Sequence, residues 1–275
     1  MRRSVRSRRA SLVPAGVAAN VPTVSAPEDP LRSGMPALDT VHARMVIASP
    51  RRPGKTYTIL RTSEIDGYEL EKAAAAGVPA PGPAAPVPTG DNYMGKDRKA
   101  AKLSIASAAT ESFNDLANLV KSLTADKTMV ALKPPISTGP TSNRVSQEKR
   151  NVRVKAFIYA ASHENDNDFH LIIGRDHTKH PDVYMTMELS GLPPKTAASF
   201  PKLNAAREAY KGFFQANLPG MTYDFYDPPV PVQVEGSLFF DMTHATGQRP
   251  GPQSLKSRMP TIWEVHPITS IKFEP

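Results

Sequence analysis

The stretch VPVQVEGSLFFD, residues 230–241, decides the predicted fold class. Apolar side chains recur there at every second position, which is the period of a β-strand with one buried face. Gly236 interrupts the run, and a glycine inside a strand indicates a bend or a bulge. A small closed barrel needs such bends at its corners, so we predict a long, bent strand at this position.

Other strand-like runs flank that stretch, and one helical run, Leu203–Asn217, lies between the third and fourth strands. Three strands, a helix and two strands are the order of a small OB-type Greek-key barrel. We therefore predict a mainly β protein in which residues 151–275 form a closed five-stranded OB-like barrel. Besides residues 230–241, its predicted strands are Asn151–Ala161, Asp168–Arg175, Val183–Leu189 and Thr261–Phe273.

The first 150 residues divide by composition into an arm, small embellishments and linkers. Two strand-like runs, Thr40–Ala48 and Lys55–Thr62, predict a short hairpin, and helical spacing of apolar residues predicts a helix over 110–124. Proline-rich breakers separate these pieces. The predicted segments are a disordered basic arm 1–35, a hairpin segment 36–72, a Pro/Ala linker 73–90, a helical segment 91–133 and a linker 134–150.

The net charge of +8 is unevenly distributed along the chain. Residues 1–10 contain five arginines and no acid, whereas residues 151–275 contain 12 basic and 13 acidic side chains. A nucleic-acid-binding module needs its basic surface on the folded part, so this distribution argues against one here. The absence of cysteine excludes disulfides, thiolate nucleophiles and Cys-ligated metal sites.

The N-terminal segment has a basic start but only a short, interrupted apolar stretch, with Pro14, Gly16, Asn20 and Pro22 inside it. A secretory signal needs a continuous apolar region, and a membrane span needs about 18 or more apolar residues. We therefore favour a disordered arm over a signal peptide. The expectation is a soluble protein without a membrane span, cytoplasmic rather than exported.

Three pairs of an acidic residue and a histidine occur on the second, fourth and fifth predicted strands. They are Asp168 with His170, Asp241 with His244, and Glu264 with His266. If the pairs converge, they could work as acid and base or bind a divalent metal, above all through Asp168, His170, Asp241 and His266. The alternative is structural, with each histidine bonded to a carboxylate and the pairs separated around the barrel wall. We favour the structural alternative, and a divalent metal is the only cofactor left open.

A basic loop, 246–260, lies between the last two predicted strands. In OB-type barrels this loop borders the binding face, so Arg249, Lys256 and Arg258 are candidates for phosphate contacts. Aromatic faces stack on unpaired bases, and the aromatic candidates for that role are Tyr159, Phe169 and Tyr184.

Several segments together resemble a family of uncharacterised bacterial proteins. These segments are DNDFHLIIG at 166–174, PVQVEGSLFFDMTH at 231–244 and IWEVHPITSIKF at 262–273, with weaker similarity in KTYTILRTSEIDGYE at 55–69 and KAAKLSIA at 99–106. The resemblance implies an OB-like β-barrel and points to the same acid and histidine residues. It implies no particular reaction.

Three functions follow as hypotheses. We favour a β-barrel binding or interaction protein, with a protein or a small ligand as its partner and weak, salt-sensitive nucleic-acid contact through the basic arm. The first alternative is a metal-dependent hydrolase, perhaps a nuclease, that uses the six acid and histidine residues. The second alternative is a module that binds single-stranded nucleic acid.

Overall fold

The computed structural model describes residues 34–245 and 249–275, so nearly all of the predicted basic arm lies outside the described residues. The described part contains eight strands and five α-helices. The strands are β1 Val41–Ala48, β2 Thr56–Thr62, β3 Thr110–Phe113, β4 Asn151–His163, β5 Phe169–Gly174, β6 Tyr184–Leu189, β7 Asp224–Phe240 and β8 Trp263–Phe273. The helices are α1 Gly67–Ala76, α2 Lys99–Lys102, α3 Leu116–Lys121, α4 Asp126–Val130 and α5 Phe200–Phe214.

All eight strands belong to one mixed sheet, in the order β1-β2-β7-β8-β6-β5-β4-β3, with a further pairing between β7 and β4. The mainly β class is therefore confirmed, whereas this mixed sheet of eight strands, with five described α-helices, does not confirm the predicted closed barrel of five strands and one helix. Strand β7 spans 17 residues and is long enough to pair with β2 as well as with β4 and β8. The parallel contact between β6 and β8 consists of only two residue pairs.

The first half of the chain supplies three strands of this sheet. The predicted hairpin forms as β1 and β2, and β2 pairs with β7. Strand β3 pairs in parallel with the start of β4. Residues 33–275 form one compact unit, and no helix in its described part has the length and apolar character needed to cross a membrane.

The helix predicted over 110–124 is divided in the structure. Residues 110–113 pair with β4 as strand β3, and α3 begins only at Leu116. The Asp115 side chain accepts a hydrogen bond from the Ala117 backbone N–H at 2.8 Å, which is the contact of a helix N-cap. Because this cap starts α3 only after strand β3 has ended, the helix and its apolar face are shorter than the spacing of apolar residues predicts.

Helix α5 matches the predicted helical run and packs its aromatic side chains on the sheet. Phe213 stacks on Phe273 of β8 with ring centroids 4.1 Å apart, and Tyr210 lies 5.0 Å from Phe169 of β5. These rings join the main apolar core. Aromatic pairs of this kind add to the free energy of burial, so α5 fixes one face of the sheet and leaves the other face for the polar cluster described below.

One buried carboxylate in this core makes the stability of the fold depend on pH. Asp224 is 2% exposed, and the Nε atom of Arg61 lies 3.6 Å from its Oδ2. Burial raises the pKa of Asp224 from 3.8 to about 7, although Arg61 acts to lower it. Between about pH 4 and pH 7 the folded chain keeps a proton that the unfolded chain has lost, so stability falls as the pH rises through that window.

We expect Asp224→Asn to raise the free energy of unfolding at pH 8, by at most about 4 kcal/mol, because each pKa unit corresponds to about 1.4 kcal/mol. The difference from wild type should shrink as the pH is lowered toward 4. Urea unfolding at several pH values, followed by the fluorescence of the single tryptophan, measures both effects. An Asn variant that is less stable than wild type at pH 8 would contradict the expectation.

Candidate functional site

A cavity of about 350 Å³ opens between helix α1, residues 93–97 and the polar face of the sheet. Its mouth carries the exposed side chains of Lys72 and Lys96. Acidic residues and histidines form its floor. The residues lining the cavity include Asp66, Tyr68, Glu69, Tyr93, Asp97, Lys102, Glu164, Asp166, His170, Glu188, Asp241 and His244.

Antiparallel pairing of β5 with β6 builds the first part of the floor. His170 on β5 lies directly opposite Glu188 on β6. Side chains alternate between the two faces of a strand, so the neighbouring Leu171 and Met187 turn to the apolar core. The register therefore places an imidazole and a carboxylate side by side on the polar face.

Parallel pairing of β6 with β8 adds the second part. Thr186 of β6 lies opposite Glu264 of β8. Two residues further along each strand, Glu188 and His266 come together on the same face, with His266 Nδ1 2.6 Å from Glu188 Oε2. Glu188 thus lies between the histidine of β5 and the histidine of β8.

His266 is fully buried and has carboxylates on both sides of its ring. Its Nε2 atom lies 3.3 Å from Asp168 Oδ2, and its Nδ1 atom lies 3.6 Å from Glu264 Oε2 as well as close to Glu188. The other oxygen of Asp168 accepts a hydrogen bond from the Gly191 backbone N–H at 2.6 Å, which fixes that carboxylate. One imidazole is therefore surrounded by three acidic side chains.

The loop between β4 and β5 contributes Glu164, which contacts His170 through a 2.5 Å separation between its Oε1 and Nδ1 of the ring. Two side-chain contacts hold this turn, one to the backbone and one to a neighbouring side chain. Asp166 accepts from the Asp168 backbone N–H, and Asn167 lies 2.7 Å from Nε2 of His163. The sequence HENDNDFH is thus an ordered turn that also supplies acidic residues to the cavity.

A third group forms where β7 ends. The Oδ1 atom of Asp241 accepts hydrogen bonds from the backbone N–H and the hydroxyl of Thr243. Its Oδ2 lies 3.8 Å from Nε2 of His244, whose ring packs edge-on against Tyr68 at 5.3 Å. The carboxylate of Glu264 completes this group.

The cluster therefore contains three sets of residues, each of which could hold a metal ion. In each set the potential ligand atoms lie within 4.8 Å of one another. Nitrogen and carboxylate oxygen together are common ligands of transition-metal ions. The sets are Glu164, His170 and Glu188; Asp168, Glu188 and His266; and Asp241, His244 and Glu264.

Several polar atoms in the cluster are buried but have no hydrogen-bond partner among the described residues. They are Asp168 Oδ2, His170 Nε2, Glu188 Oε2, both carboxylate oxygens of Glu264, and both ring nitrogens of His266. The short contact between His266 and Glu188 lacks the alignment of a hydrogen bond. Buried polar atoms are nearly always bonded, so a concentration of unsatisfied atoms at one place indicates a ligand-binding site.

Three carboxyl groups of the cluster resist ionisation. Burial raises the pKa of Glu164 from 4.5 to about 7, although His170 acts to lower it. Burial raises the pKa of Asp168 well above its usual range, and Asp166 and Glu188 add to that effect by repulsion. Burial likewise raises the pKa of Glu264, with further repulsion from Glu188 and Asp241. The cluster therefore carries more acidic groups than its own positive charges can balance.

Glu188 and Asp241 behave differently, because neighbouring histidine and lysine side chains hold the pKa of each below its usual value. Glu188 has three such neighbours. Burial acts to raise its pKa, but His266, Lys102 and His170 together hold it well below the usual range. Burial acts to lower the pKa of His170, yet the neighbouring Glu164 and Glu188 raise it to about 10. Glu188 is thus the anionic centre of the cluster.

Helix α2 brings the one buried lysine to the cluster. Lys102 lies with its Nζ 3.7 Å from Asp166 Oδ2 and 5.7 Å from the centre of the Phe239 ring. Burial acts to lower its pKa, but Glu188 and Asp166 raise the pKa well above its usual value. A lysine that stays charged inside an acidic cluster can neutralise either the carboxylates or a bound anion.

Two arginines hold α2 in position. Arg98 forms a bidentate ion pair with the fully buried Glu148, with both N–O distances 2.7 Å. Arg144 donates to the carbonyls of Ala101 and Ser104 and also to the carbonyl of His266 on β8. The segment predicted as a linker, 134–150, therefore carries the contacts that join α2 to the sheet.

The structure brings all six predicted acid and histidine residues into one region: Asp168, His170, Asp241, His244, Glu264 and His266. Each histidine contacts a carboxylate, as the structural alternative expected. The expected separation of the pairs around a barrel wall is wrong, because the parallel β6–β8 pairing places β8 next to the β5–β6 hairpin. The four predicted metal ligands are divided among the three sets described above.

Sequence reasoning missed Glu188, which belongs to two of the three sets. The signal was present in YMTMEL, residues 184–189, where Thr186 and Glu188 alternate with apolar residues in a strand that is buried throughout. An acidic side chain in such a strand is shielded from solvent, and it therefore needs a partner inside the protein. Lys102 gave no comparable signal, because KAAK is compatible with any exposed helix.

The candidates for nucleic-acid contact lie elsewhere. Arg249 donates to the carbonyl of Met259 at 2.7 Å, and Arg258 lies 3.4 Å from Asp182. Lys256 is half-buried in a short 3₁₀ turn. The aromatic candidates Tyr159, Phe169 and Tyr184 are at most 2% exposed, so their prediction as stacking platforms is wrong.

Comparison with known protein families, with curated proteins and with solved structures gave no match for this chain. The geometry of the cavity is therefore the basis for a functional proposal.

Proposed function

We propose that the protein is a divalent-cation-dependent hydrolase of phosphate esters, with its reaction centre at the floor of the 350 Å³ cavity. The observation that carries the proposal is the concentration of buried carboxylate and imidazole atoms without hydrogen-bond partners among the described residues, on His170 and Glu188 at the cavity and on Asp168, Glu264 and His266 behind them. A cation bound there would polarise a phosphoryl oxygen and lower the pKa of a bound water. Among the predicted functions this is the metal-dependent hydrolase.

The side chains that face the cavity support a division of roles. His170, Glu188 and Asp241 line the floor and offer ligand atoms of the types that divalent cations prefer. Lys102 lies beside them, and Lys72 and Lys96 lie at the mouth. Positive side chains stabilise the charge that develops on a transferring phosphoryl group, which favours a phosphate ester over a neutral substrate.

A binding protein for a small anionic ligand is the second candidate, in agreement with the interaction role favoured from the sequence. The volume of the cavity lies within the range of small-molecule sites, and Tyr68 and Tyr93 supply aromatic surface beside the lysines. Such a protein would take up the cation and the anion without turnover.

The OB-like topology also stays a proposal. Its support is the succession β4, β5, β6, α5, β7 and β8, together with the pairings that join β4 to β5 and β7. The resemblance to an uncharacterised bacterial family stays a proposal on the same residues.

The test begins with chelator-treated protein and separate additions of Mg²⁺, Mn²⁺, Ca²⁺ and Zn²⁺. We expect at least one cation to raise the melting temperature by about 5 °C or more, since a ligand at a hundred times its Kd stabilises by about 2.7 kcal/mol. The same cation should support hydrolysis of p-nitrophenyl phosphate or bis-p-nitrophenyl phosphate. Melting temperatures and nitrophenol release are the two readouts.

Matched histidine variants separate this site from adventitious metal binding. His170→Ala should lose most of the melting-temperature shift, whereas His180→Ala should keep it, because the His180 side chain is 74% exposed and remote from the cluster. A wild-type protein that responds to none of the cations would contradict the proposal. Cation binding without hydrolysis of either substrate would favour the binding protein.

A further inference from the structure

We propose that the cluster holds two divalent cations and that Glu188 is the ligand they share. This inference rests on the proposed function and deepens it by defining the metal centre. One ion is held by Glu188 and His170, whose ring Glu164 orients, and the other by Glu188 with Asp168 and His266. Two-metal centres in hydrolases place their ions about 3.5–4 Å apart, a separation that a single bridging carboxylate spans.

The position of Glu188 in the sheet carries the argument. It lies on β6, which pairs with β5 on one side and with β8 on the other. The register puts His170 across from it on β5, and the β6–β8 pairing puts His266 beside it. Each neighbouring strand therefore offers one histidine to the same carboxylate.

The two sets of residues are chemically alike. Each combines Glu188 with one histidine and one further acid, and the ligand atoms in each lie within 4.8 Å of one another. Ligand atoms bound to one ion at about 2.1 Å are at most about 4.2 Å apart. The spacing in each set is thus within about 1 Å of the spacing that one ion requires.

Unsatisfied atoms occur in both sets, which supports two ions over one. In the first set the Nε2 atom of His170 has no partner among the described residues, while Glu164 contacts Nδ1 on the other edge of the ring and fixes its orientation. In the second set Asp168 Oδ2 and both nitrogens of His266 have no hydrogen-bond partner among the described residues. Glu188 Oε2, the shared residue, is unsatisfied as well. A single ion would satisfy one set and leave the other buried and unbonded.

The third set, Asp241, His244 and Glu264, does not contain Glu188. Two of its three residues already have other partners, since the Oδ1 atom of Asp241 accepts hydrogen bonds from Thr243 and the His244 ring packs against Tyr68; this set is therefore less available to an ion than the two that contain Glu188. We therefore expect two ions per chain rather than three.

Metal content and magnetic coupling test the proposal on the full chain. Chelated protein is loaded with Mn²⁺, desalted and measured by elemental analysis, and the electron paramagnetic resonance spectrum is recorded. We expect two Mn²⁺ per chain and an exchange-coupled spectrum. One or three ions per chain, or two ions without coupling, would overturn the two-ion centre.

Variants assign the ions to their ligands. His170→Ala and His266→Ala should each retain one ion and lose the coupled signal, whereas Glu188→Gln should weaken binding of both ions, and His180→Ala should keep both. Equal binding of two ions by wild type and Glu188→Gln would overturn the bridging role. If a variant does not fold, the wild-type spectrum still decides the number and proximity of the ions.

The failures of the two proposals are distinguishable. One ion per chain together with cation-dependent ester hydrolysis would overturn the two-ion centre and leave the hydrolase in place. Two coupled ions without hydrolysis would support the centre and contradict the hydrolase. No ion at all would contradict both.

Discussion

Arg98→Met is expected to lower the free energy of unfolding by about 3–5 kcal/mol, because it leaves the carboxylate of Glu148 buried without its counter-charge. Domains of this kind have roughly 5–15 kcal/mol of stability in total. The substitution should therefore remove a large share of it, and it should also release helix α2 from the sheet.

The geometry explains why this ion pair is expected to matter so much. Arg98 is 2% exposed and Glu148 is fully buried. The Arg98 guanidinium also donates to the carbonyls of Phe240 and Asn143 and lies 4.7 Å from the centre of the Phe239 ring. Glu148 in turn accepts from the Phe240 backbone N–H. Loss of the arginine removes several bonds at once and leaves one uncompensated charge.

Urea unfolding, monitored by the fluorescence of the buried Trp263, measures the effect. The chain offers a matched control in the bidentate pair of Arg150 with Glu111, whose side chains are 25% and 45% exposed. Arg150→Met should cost less than about 1 kcal/mol. The double variant Arg98→Met with Glu148→Gln should be more stable than Arg98→Met alone. Equal losses at the buried and exposed pairs would contradict the expectation.

The strands were largely predictable because alternation is a local property. All of the run VPVQVEGSLFFD except its last residue, Asp241, lies within β7, and the hairpin predicted from Thr40–Ala48 and Lys55–Thr62 is present as β1 and β2. The bend predicted at Gly236 corresponds to a shift in the register with β8. A Cβ at this position would lie 2.3 Å from the Pro267 carbonyl oxygen, so close approach of two backbones is the reason for the glycine.

The arrangement of the strands was not predictable from the same signals. Alternation predicts which residues of a strand face the core, but it does not predict which strands are neighbours in the sheet. The pairing of β2 with the first residues of β7 and the parallel pairing of β3 with β4 are contacts between distant parts of the chain. The number of strands was inferred from residues 151–275 alone, and these additional pairings bring three strands from the first half of the chain into the same sheet.

The candidate site was predictable in its residues but not in its convergence. Acid and histidine two residues apart necessarily share a strand face, which identified Asp168 with His170 and Glu264 with His266. Their meeting depends on the position of β8 beside β6, where only two residue pairs form the contact. Glu188 became identifiable as the centre only when that contact was known.

Lys102→Met is expected to change the two activities of the site in opposite directions. Lys102 carries a positive charge inside the acidic cluster, where Glu188 and Asp166 raise its pKa well above the usual value against the effect of burial. Removing a cation from the neighbourhood of bound metal ions lessens repulsion, so metal affinity should increase several-fold. Removing it from the cavity should lower kcat/KM for a phosphate ester by about 10²-fold, the effect of losing one transition-state contact.

Isothermal titration with Mn²⁺ and the rate of p-nitrophenyl ester hydrolysis measure the two effects on the same preparation. Lys179→Met is the matched control, since Lys179 does not line the cavity and has a side chain that is 50% exposed and 3.6 Å from Asp115. Its loss should change either quantity by less than about threefold, because exposed charges are screened. A structural role for Lys102 would lower stability, metal affinity and rate together. If Lys102 repels the metal ions and also contacts the substrate, its loss should strengthen metal binding and slow the reaction.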